Sequence, residues 1–290
     1  MALRAKALRE DSMDIGPAEF RRISAYIYDE LGIRLTDNKR TMLAGRLHKR
    51  LRELQLATVS DYCDYLFSPR GQQLEKIHLF NAVTTNKTDF FREPSHFDYL
   101  VSQVLPAWQR LGRRSFRVWS AGCSSGEEPY TLAMVLDDYA RQHSDFVFEI
   151  IATDISTRVL DQAKQAVYHE ERIAPVPMAL RRRYLLRSRD RTSPLVRIVP
   201  ELRRHVRFGR LNFMDEQFAL PFALDVIFCR NVIIYFDHPT QERLVQKFCR
   251  HLQPDGHLFL GHSESLHGYA VPLQQIAPTV YRHQPALAAV

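Results

Sequence analysis

The sequence predicts an α/β protein in which a small all-α N-terminal domain precedes a parallel sheet domain that carries a small inserted antiparallel β-subdomain. Three observations predict this organisation: apolar residues at helical spacing up to Gly112, short apolar runs alternating with helical stretches after it, and a break in that alternation over residues 178–208. A chain of 290 residues with 45% hydrophobic content is long enough to bury the cores of two domains.

In the first third of the chain, apolar residues recur every three or four positions, which places them on one face of a helix. Examples of these positions are Phe20, Ile23, Ile27, Leu31, Leu43, Leu47, Leu51, Phe97, Leu100 and Val104. We expect a disordered tail at residues 1–14, a helical domain at 15–93 and a linking helix at 94–112. Ser60 is a candidate N-cap, and Pro94 stands near a helix start, where its missing N–H does no harm.

The domain predicted at residues 113–285 alternates strands and helices, which is typical of a parallel sheet covered on both faces. Its strands are predicted at 116–120, 149–153, 225–229 and 257–261. Its helices are predicted at 128–142, 156–165 and 239–252, with a closing hairpin at 273–276 and 279–282. We interpret residues 178–208 as an inserted antiparallel β-subdomain.

The four cysteines show no CxxC pairing, and the twelve histidines form no metal-binding spacing, so the sequence predicts free thiols and no metal. Residues 1–14 are charged and lack the apolar run of a signal peptide, and no long apolar stretch follows. We therefore expect a soluble, cytoplasmic protein without membrane insertion.

The net charge of +7 is unevenly distributed along the chain. Residues 34–52 and 181–207 together carry +14, which leaves the remainder at −7. Localised positive charge steers association with nucleic acid, anionic lipid or an acidic protein surface, and two solvated faces are the alternative.

Glycines mark the turn between the first predicted strand and the following helix, where Gly122 and Gly126 stand in a GxxxG spacing. Such glycines let a ligand approach the backbone closely, although a tight structural turn would also explain them. Neither the GxGxxG spacing of dinucleotide-binding folds nor a P-loop is present, so a ligand without phosphate fits better.

Two acids near this turn point to the chemistry of the ligand. Asp154 ends the second predicted strand, where nucleoside-binding sheets place an acid for the ribose; its alternative role is a helix N-cap. Glu128 at a helix start suits a cationic nucleoside such as S-adenosylmethionine, or it complements the helix dipole.

Three further segments carry a resemblance to one family. They read TTNKTDFFRE at 84–93, FCRNVIIYFD at 228–237 and LQPDGHLFLGHSES at 252–265. With the glycine loop, they make the chain similar to the chemotaxis receptor methyltransferases (CheR) over residues 15–283. The resemblance implies a Rossmann-like S-adenosylmethionine methyltransferase sheet and transfer of a methyl group to chemoreceptor glutamates, giving methyl esters and S-adenosylhomocysteine.

The resemblance also assigns residues. The implied cofactor contacts are Asn86, Thr88, Arg92 and Glu128 at the methionine part, Asp154 and Ile155 at the ribose, Asn212 and Phe213 at the adenine, and Ala121, Gly122, Arg230 and Asn231 around them. Arg92 and Tyr235 are implied to face the substrate carboxylate. From the residues alone, Arg230 is equally well a strand-end charge, and Tyr235 a buried aromatic with a satisfied hydroxyl.

A glutamate carboxylate is ionised at neutral pH, so we expect residues that align it and no proton-abstracting base. The family also implies docking of the acidic receptor bundle on the 34–52 segment, through Arg40, Arg46, Lys49 and Arg50. The loop 188–194 lacks the glycines associated with binding of a receptor tether peptide, which argues against that partner. A nucleic-acid methyltransferase and an inactive cofactor-binding protein are the alternatives, and nucleic acid is not expected as a partner.

Overall fold

The structure is a computed structural model that describes residues 15–190 and 192–284. The chain forms two compact units, Met1–Thr85 with Tyr235–Asp237, and Asn86–Ile234 with His238–Val290. The disorder expected for residues 1–14 lies outside the described residues. Among the described residues, no helix is long and apolar enough to cross a membrane.

The first unit is helical, as predicted. Its α-helices are α1 (Pro17–Leu31), α2 (Arg40–Leu54), α3 (Val59–Leu66), α4 (Pro69–Leu74) and α5 (Lys76–Val83). The buried positions of α1 and α2 follow the predicted spacing. The N-cap of α3 is Thr58 and not Ser60: the Thr58 hydroxyl accepts from the Asp61 N–H over 3.1 Å, and the Asp61 carboxylate accepts from the Thr58 N–H over 3.0 Å. This reciprocal capping box fixes the helix start two residues earlier.

Residues 235–237 belong to the first unit although they are distant from it in sequence. The Arg34 N–H donates to the Tyr235 carbonyl over 3.1 Å, and the Tyr28 hydroxyl donates to Asp237 Oδ2 over 2.6 Å. Ile33 and Phe236 form an isolated antiparallel bridge. Tyr235 is therefore held by its backbone within this unit.

The second unit contains a seven-stranded sheet and a three-stranded sheet. The strands are β1 (Ser115–Ala121), β2 (Val147–Asp154), β3 (Val167–His169), β4 (Leu185–Arg187), β5 (Leu195–Ile198), β6 (Val206–Arg210), β7 (Leu224–Cys229), β8 (Leu252–Leu260), β9 (Leu273–Ala277) and β10 (Val280–His283). The large sheet has the order β6-β2-β1-β7-β8-β10-β9 and is parallel from β6 to β8. The predicted closing hairpin is formed by β9 and β10, and β10 also pairs antiparallel to β8.

The helices of this unit lie between the strands in the chain, and their order confirms the predicted α/β class. They are α6 (Ser95–Tyr99), α7 (Leu105–Arg110), α8 (Glu127–Ala140), α9 (Thr157–Gln165), α10 (Met178–Tyr184), α11 (Pro200–Arg203) and α12 (His238–His251). All four cysteines are free and buried.

The inserted subdomain differs from its predicted bounds of 178–208. Its three-stranded antiparallel sheet, in the order β3-β5-β4, begins at Val167, and residues 206–208 form part of β6 in the large sheet. A three-residue strand such as β3 is too short to show periodicity, and the apolar start of β6 reflects its pairing with β2.

The predicted linking helix at 94–112 is not a linker. The helices α6 and α7 are joined by a π-helical turn at Leu100–Val104, and both bury apolar residues in the core of the sheet unit. The unit boundary accordingly lies between Thr85 and Asn86, not after residue 93. Phe90 and Phe97 explain the difference, because both pack into the same core as β1 and β7.

Candidate active site

The glycine loop, residues 121–126, connects β1 to α8 at the carboxyl edge of the sheet. Gly122 and Gly126 have φ values of +84° and +97°, a region that L side chains rarely adopt. The N–H groups of Gly122 and Cys123 both donate to the Thr153 carbonyl, over 2.8 and 2.9 Å. A Cβ atom on Gly122 would lie 2.7 Å from Cγ2 of Val232, so the loop requires glycine for both its conformation and its close packing.

Asp154 lies at the carboxyl end of β2, where the sequence predicted an acid for the ribose. Its side chain accepts backbone N–H groups, from Ser124 on Oδ2 and from Ser156 on Oδ1, both over 2.9 Å. The N-cap alternative is wrong in detail, because Ser156 itself is the N-cap residue of α9. Burial raises the pKa of Asp154, and the backbone hydrogen bonds oppose that rise. A carboxylate has about four acceptor positions, so this arrangement leaves capacity for a ligand hydroxyl.

A buried ion pair connects β7 to the start of α8. The Arg230 Nε donates to Glu128 Oε2 over 2.8 Å, and the Ser120 hydroxyl donates to Glu128 Oε1 over 2.6 Å. Only 2% of the Arg230 side chain and 10% of the Glu128 side chain are exposed. Arg230 is therefore not a solvated strand-end charge, and Glu128 does more than complement a helix dipole.

The same guanidinium reaches the residues that precede α6. Arg230 Nη1 donates to the Arg92 carbonyl over 2.6 Å and lies 3.3 Å from His96 Nδ1. Burial and the charge of Arg230 lower the pKa of His96 to about 4, so the ring is neutral at pH 7. His96 Nδ1 then accepts from Arg230, and Nε2 donates to the Thr279 hydroxyl over 2.9 Å.

Glu93, His96 and His262 bring possible metal-ligand atoms within 4.8 Å of one another. Arg230 Nη1 lies 3.7 Å from Glu93 Oε2 and already bonds His96. A metal ion would have to replace or sit beside this permanent cation, which the geometry disfavours. The absence of a metal stays a prediction.

Glu264 holds the loop that follows β7, and sequence reasoning assigned it no role. Its carboxylate accepts the N–H groups of Asn231, Val232 and Ile233 over 2.8, 2.8 and 2.9 Å, and that of Gly261 over 2.6 Å. Burial raises its pKa, while these hydrogen bonds oppose the rise. The sequence did contain one signal for Glu264. It is an acid that comes just after β8, and β8 lies next to β7 in the parallel sheet, which would place its side chain at the same sheet edge as the loop after β7.

Asn86, Thr88 and Arg92 lie in a segment that we name the strap, residues 86–92. The Ser124 hydroxyl of the glycine loop donates to the Asn86 carbonyl over 2.9 Å. The half-buried Arg92 side chain donates to the carbonyl of Lys87 over 3.2 Å, within the strap itself. Three of the four predicted contacts of the methionine part are thus on one short segment that is bonded to the glycine loop.

Asn212 and Phe213 follow β6, next to the end of β2. The Leu211 N–H donates to the Asp154 carbonyl over 3.2 Å, which holds the two strand ends together. The Phe213 ring contacts Trp119 with centroids 6.3 Å apart, and Asn212 Oδ1 accepts from the Met214 N–H over 3.0 Å. Ile155 is half-buried beside Asp154. The structure therefore brings the predicted adenine and ribose residues to one edge of the sheet.

The predicted docking residues lie in the first unit, and they differ in how exposed their side chains are and in whether they bond other residues of the unit. Arg50 bonds Glu75 from Nε and Nη2 over 2.9 and 2.7 Å, and its side chain is only 15% exposed. Arg46 bonds the Val83 carbonyl and the Thr85 hydroxyl. Both bond within the helical unit, and their role in docking stays a prediction. Arg40 is half-buried, and Lys49 is 76% exposed.

The site fits S-adenosylmethionine by the chemistry of its residues. Glu128 accepts one donor on each oxygen, which leaves acceptor capacity for an ammonium group, and Asp154 retains capacity for a ribose hydroxyl. The glycine loop exposes backbone between these two acids. Such a loop on a mostly parallel sheet, with acids at the ends that the cofactor requires, defines a methyltransferase of the S-adenosylmethionine-dependent class.

Comparisons with known proteins agree with this class. Residues 86–281 match the family described as CheR methyltransferase, SAM binding domain, and residues 18–84 match its all-alpha domain. The chain belongs to the CheR methyltransferase family, which confirms the resemblance, the fold class and the enzyme class predicted from the sequence.

Relatives match over nearly their whole length. A chemotaxis protein methyltransferase of Borreliella burgdorferi is 38% identical over 93% of this chain and 96% of its own. Chemotaxis protein methyltransferase 2 of Pseudomonas aeruginosa is 39% identical over 91% and 92%, and the Escherichia coli protein 40% over 88% and 87%. A solved N-methyltransferase, NodS from Bradyrhizobium japonicum, covers 65% of this chain and 70% of its own with 15% identity and a TM-score of 0.33, too low to add to the assignment.

Proposed function

We propose that this enzyme methylates glutamate side chains in the cytoplasmic helical bundle of chemoreceptors, giving glutamate methyl esters and S-adenosylhomocysteine. The observation that carries the proposal is the match of both domains to relatives named chemotaxis protein methyltransferases. Neither a nucleic-acid substrate nor loss of activity receives comparable support.

The reaction requires alignment more than proton transfer. S-adenosylmethionine supplies an electrophilic methyl group on a sulfonium centre. The glutamate carboxylate, ionised at neutral pH, forms the new oxygen–carbon bond while the carbon–sulfur bond breaks and its electron pair remains on sulfur. Two opposite charges disappear in this step, so it is favoured by a dry site and an in-line arrangement.

Two titratable groups of the site, His96 and Glu264, are already occupied by hydrogen bonds. His96 is neutral, but its two ring nitrogens are bonded to Arg230 and Thr279. The Glu264 carboxylate is occupied by backbone N–H groups. These groups hold the site in shape, and neither has a proton-accepting position directed at a substrate.

The individual roles are those that the family resemblance implies for these residues. We propose that Glu128, Asn86 and Thr88 bind the methionine part of the cofactor, Asp154 and Ile155 the ribose, and Asn212 and Phe213 the adenine. Ala121, Gly122, Arg230 and Asn231 would form the backbone and floor of the site. Arg92 is proposed to align the substrate carboxylate through two parallel N–H bonds, and Tyr235 is proposed to align it through its hydroxyl. A strong ion pair between Arg92 and the carboxylate would also lower the nucleophilicity of the carboxylate, so we assign Arg92 alignment and not activation.

The test uses labelled S-adenosylmethionine and a receptor cytoplasmic fragment. We expect base-labile methyl groups on glutamates of the fragment. Arg92→Ala and Tyr235→Phe should each lower kcat more than they weaken S-adenosylhomocysteine binding measured by calorimetry. Labelling that resists base, or full turnover in both variants, would contradict the proposal.

A further inference from the structure

We infer that Arg172 of the inserted β-subdomain is a positioning residue for the cofactor site, because it joins that subdomain to both the strap and the first turn of α8. This inference rests on the proposed placement of the cofactor along the strap. It gives the subdomain a part in cofactor binding that does not depend on a receptor tether.

The geometry of Arg172 is that of a bridge. Its Nη2 donates to the Thr88 carbonyl over 2.9 Å and also bonds Glu127 Oε1. Arg172 lies in the helical turn Glu170–Ile173, directly after β3 of the subdomain. Thr88 is a proposed contact of the methionine part, and Glu127 is the neighbour of Glu128 in the chain. One guanidinium therefore connects the subdomain to both sides of the proposed methionine site.

Two other contacts of the strap come from the methyltransferase core. The Ser124 hydroxyl donates to the Asn86 carbonyl over 2.9 Å, and the Phe91 N–H donates to the Thr131 hydroxyl over 3.2 Å. The middle of the strap, at Thr88, is instead held by Arg172. Loss of this contact would leave the Thr88 carbonyl without Arg172 while the strap remained bonded at Asn86 and Phe91.

The charge on Glu127 strengthens the bridge. Its side chain is 1% exposed, and the Ser125 hydroxyl donates to its second oxygen over 2.7 Å. Burial raises the pKa of Glu127, and Ser125 and Arg172 oppose the rise. Two titratable groups that feel the charge of Glu127, Cys123 and Tyr168, have pKa values raised well above their ordinary ranges by burial and stay neutral. Arg172 is thus the cation that compensates Glu127.

A second contact, made by Tyr168, holds the subdomain against the glycine loop. Because of this contact, the backbone that carries Arg172 has a defined position. The Tyr168 hydroxyl of β3 donates to the Ser125 carbonyl over 2.8 Å. The Tyr168 ring packs edge-to-face on Phe90 of the strap, with centroids 4.9 Å apart. The segment that carries Arg172 therefore has a defined position against the cofactor loop.

The test measures S-adenosylhomocysteine binding by calorimetry on the full chain, so it needs no receptor. Arg172→Ala should weaken binding about tenfold, as expected for loss of a charge-assisted hydrogen bond. Arg172→Lys should recover part of the affinity, because an ammonium compensates Glu127 without the planar geometry of a guanidinium. The matched control is Arg187→Ala, which removes an 81% exposed arginine of the same subdomain, paired with Glu170.

The pH profile separates positioning from a general loss of structure. In Arg172→Ala, Glu127 is a buried carboxylate without a counter-charge, so the binding defect should be largest at high pH and shrink as falling pH protonates it. Arg172→Ala/Glu127→Gln should remove this pH dependence and restore part of the affinity. Unchanged binding in Arg172→Ala, or a defect that neither pH nor Glu127→Gln alters, would overturn the inference. Failure of receptor methylation by the wild type, with these binding effects intact, would instead reject the proposed substrate.

Discussion

Arg230 and Glu128 form a nearly dry ion pair, with Nε of Arg230 2.8 Å from Oε2 of Glu128, that joins the end of β7 to the first turn of α8. The two residues are distant in sequence, but adjacent strands of the parallel sheet bring them together. The pair therefore links two elements of the sheet unit that are far apart in sequence.

We predict that Arg230→Met lowers the free energy of unfolding by about 3–5 kcal/mol, because Glu128 would remain buried without a counter-charge. Chemical denaturation would measure this loss. The double variant Arg230→Met/Glu128→Met should recover much of the stability but should not bind S-adenosylhomocysteine. Equal stability of the single and double variants would show that the pair does not contribute through charge compensation.

Gly122→Ala is predicted to lose both stability and cofactor affinity. The φ of +84° costs a non-glycine residue about 1–3 kcal/mol, and the added Cβ would also meet Val232 Cγ2 at 2.7 Å. Gly112→Ala is the matched control, since its φ is +65° but nothing lies within 4 Å of the added Cβ. Calorimetry should show weaker binding only for Gly122→Ala, with partial recovery in Gly122→Ala/Val232→Ala. Equal affinity in the two single variants would contradict the close-packing argument.

Glu264→Gln should destabilise the loop after β7. A glutamine offers one acceptor oxygen, so some of the backbone N–H groups that converge on Glu264 would face an amide donor instead. We expect the free energy of unfolding to fall by about 2–3 kcal/mol and methyl transfer to fall with it. Ser263→Ala, one position earlier, is the control. Hydrogen exchange at Asn231, Val232 and Ile233 should accelerate in Glu264→Gln alone.

Charge-reversal variants should distinguish basic residues that dock the receptor from basic residues that stabilise the helical unit. Arg50→Glu should unfold the first unit, because Glu75 and Glu53 already surround Arg50. The exposed Lys49→Glu, combined with Arg40→Glu, should raise the KM for an acidic receptor fragment and leave cofactor affinity unchanged. Thermal unfolding and steady-state kinetics would test both expectations. A KM that does not change would remove this face from the docking proposal.

Stability should decline as the pH falls from about 6.5 toward 4. Burial and Arg230 lower the folded-state pKa of His96 to about 4, and burial and Arg282 do the same for His257, against an ordinary value of 6.5. The unfolded chain binds more protons in this window, so the stability present above pH 6.5 is lost as the pH approaches the folded pKa. His96→Gln should reduce the slope of unfolding free energy against pH, and the exposed His78→Gln should not.

Much of the fold was predictable because the sheet unit has strong local patterns. The strands around Val118, Ile151, Ile227 and Phe259 contain short, largely apolar runs that are buried, as expected when both faces of a parallel sheet are covered. The short strand β3 and the π-helical turn at Leu100–Val104 lack such patterns and depend on tertiary packing. The helical segment after Pro94 was assigned to a linker because periodicity does not reveal which core a helix packs against.

The positions of Gly122 and Asp154 at strand ends were predictable, because a motif and a strand end coincide there. Their contacts with the cofactor stay a prediction. The partner of a charge was not predictable, because it depends on contacts far apart in sequence. Arg50 looked like a solvated docking residue, yet Glu75 holds it in the helical unit. Glu264 and Arg172 stood in no recognised catalytic spacing, and their roles emerge from the backbone groups that each one bonds.

The convergence of backbone N–H groups on Glu264 affects how an anionic substrate can be bound. Such a cluster of amides is the kind of nest that elsewhere receives an incoming anion. In this enzyme the protein's own carboxylate fills it, so these amide groups are already occupied and are not free to bind a second anion. An anionic substrate would then be oriented without being trapped by the backbone, which leaves its oxygen lone pairs available for attack.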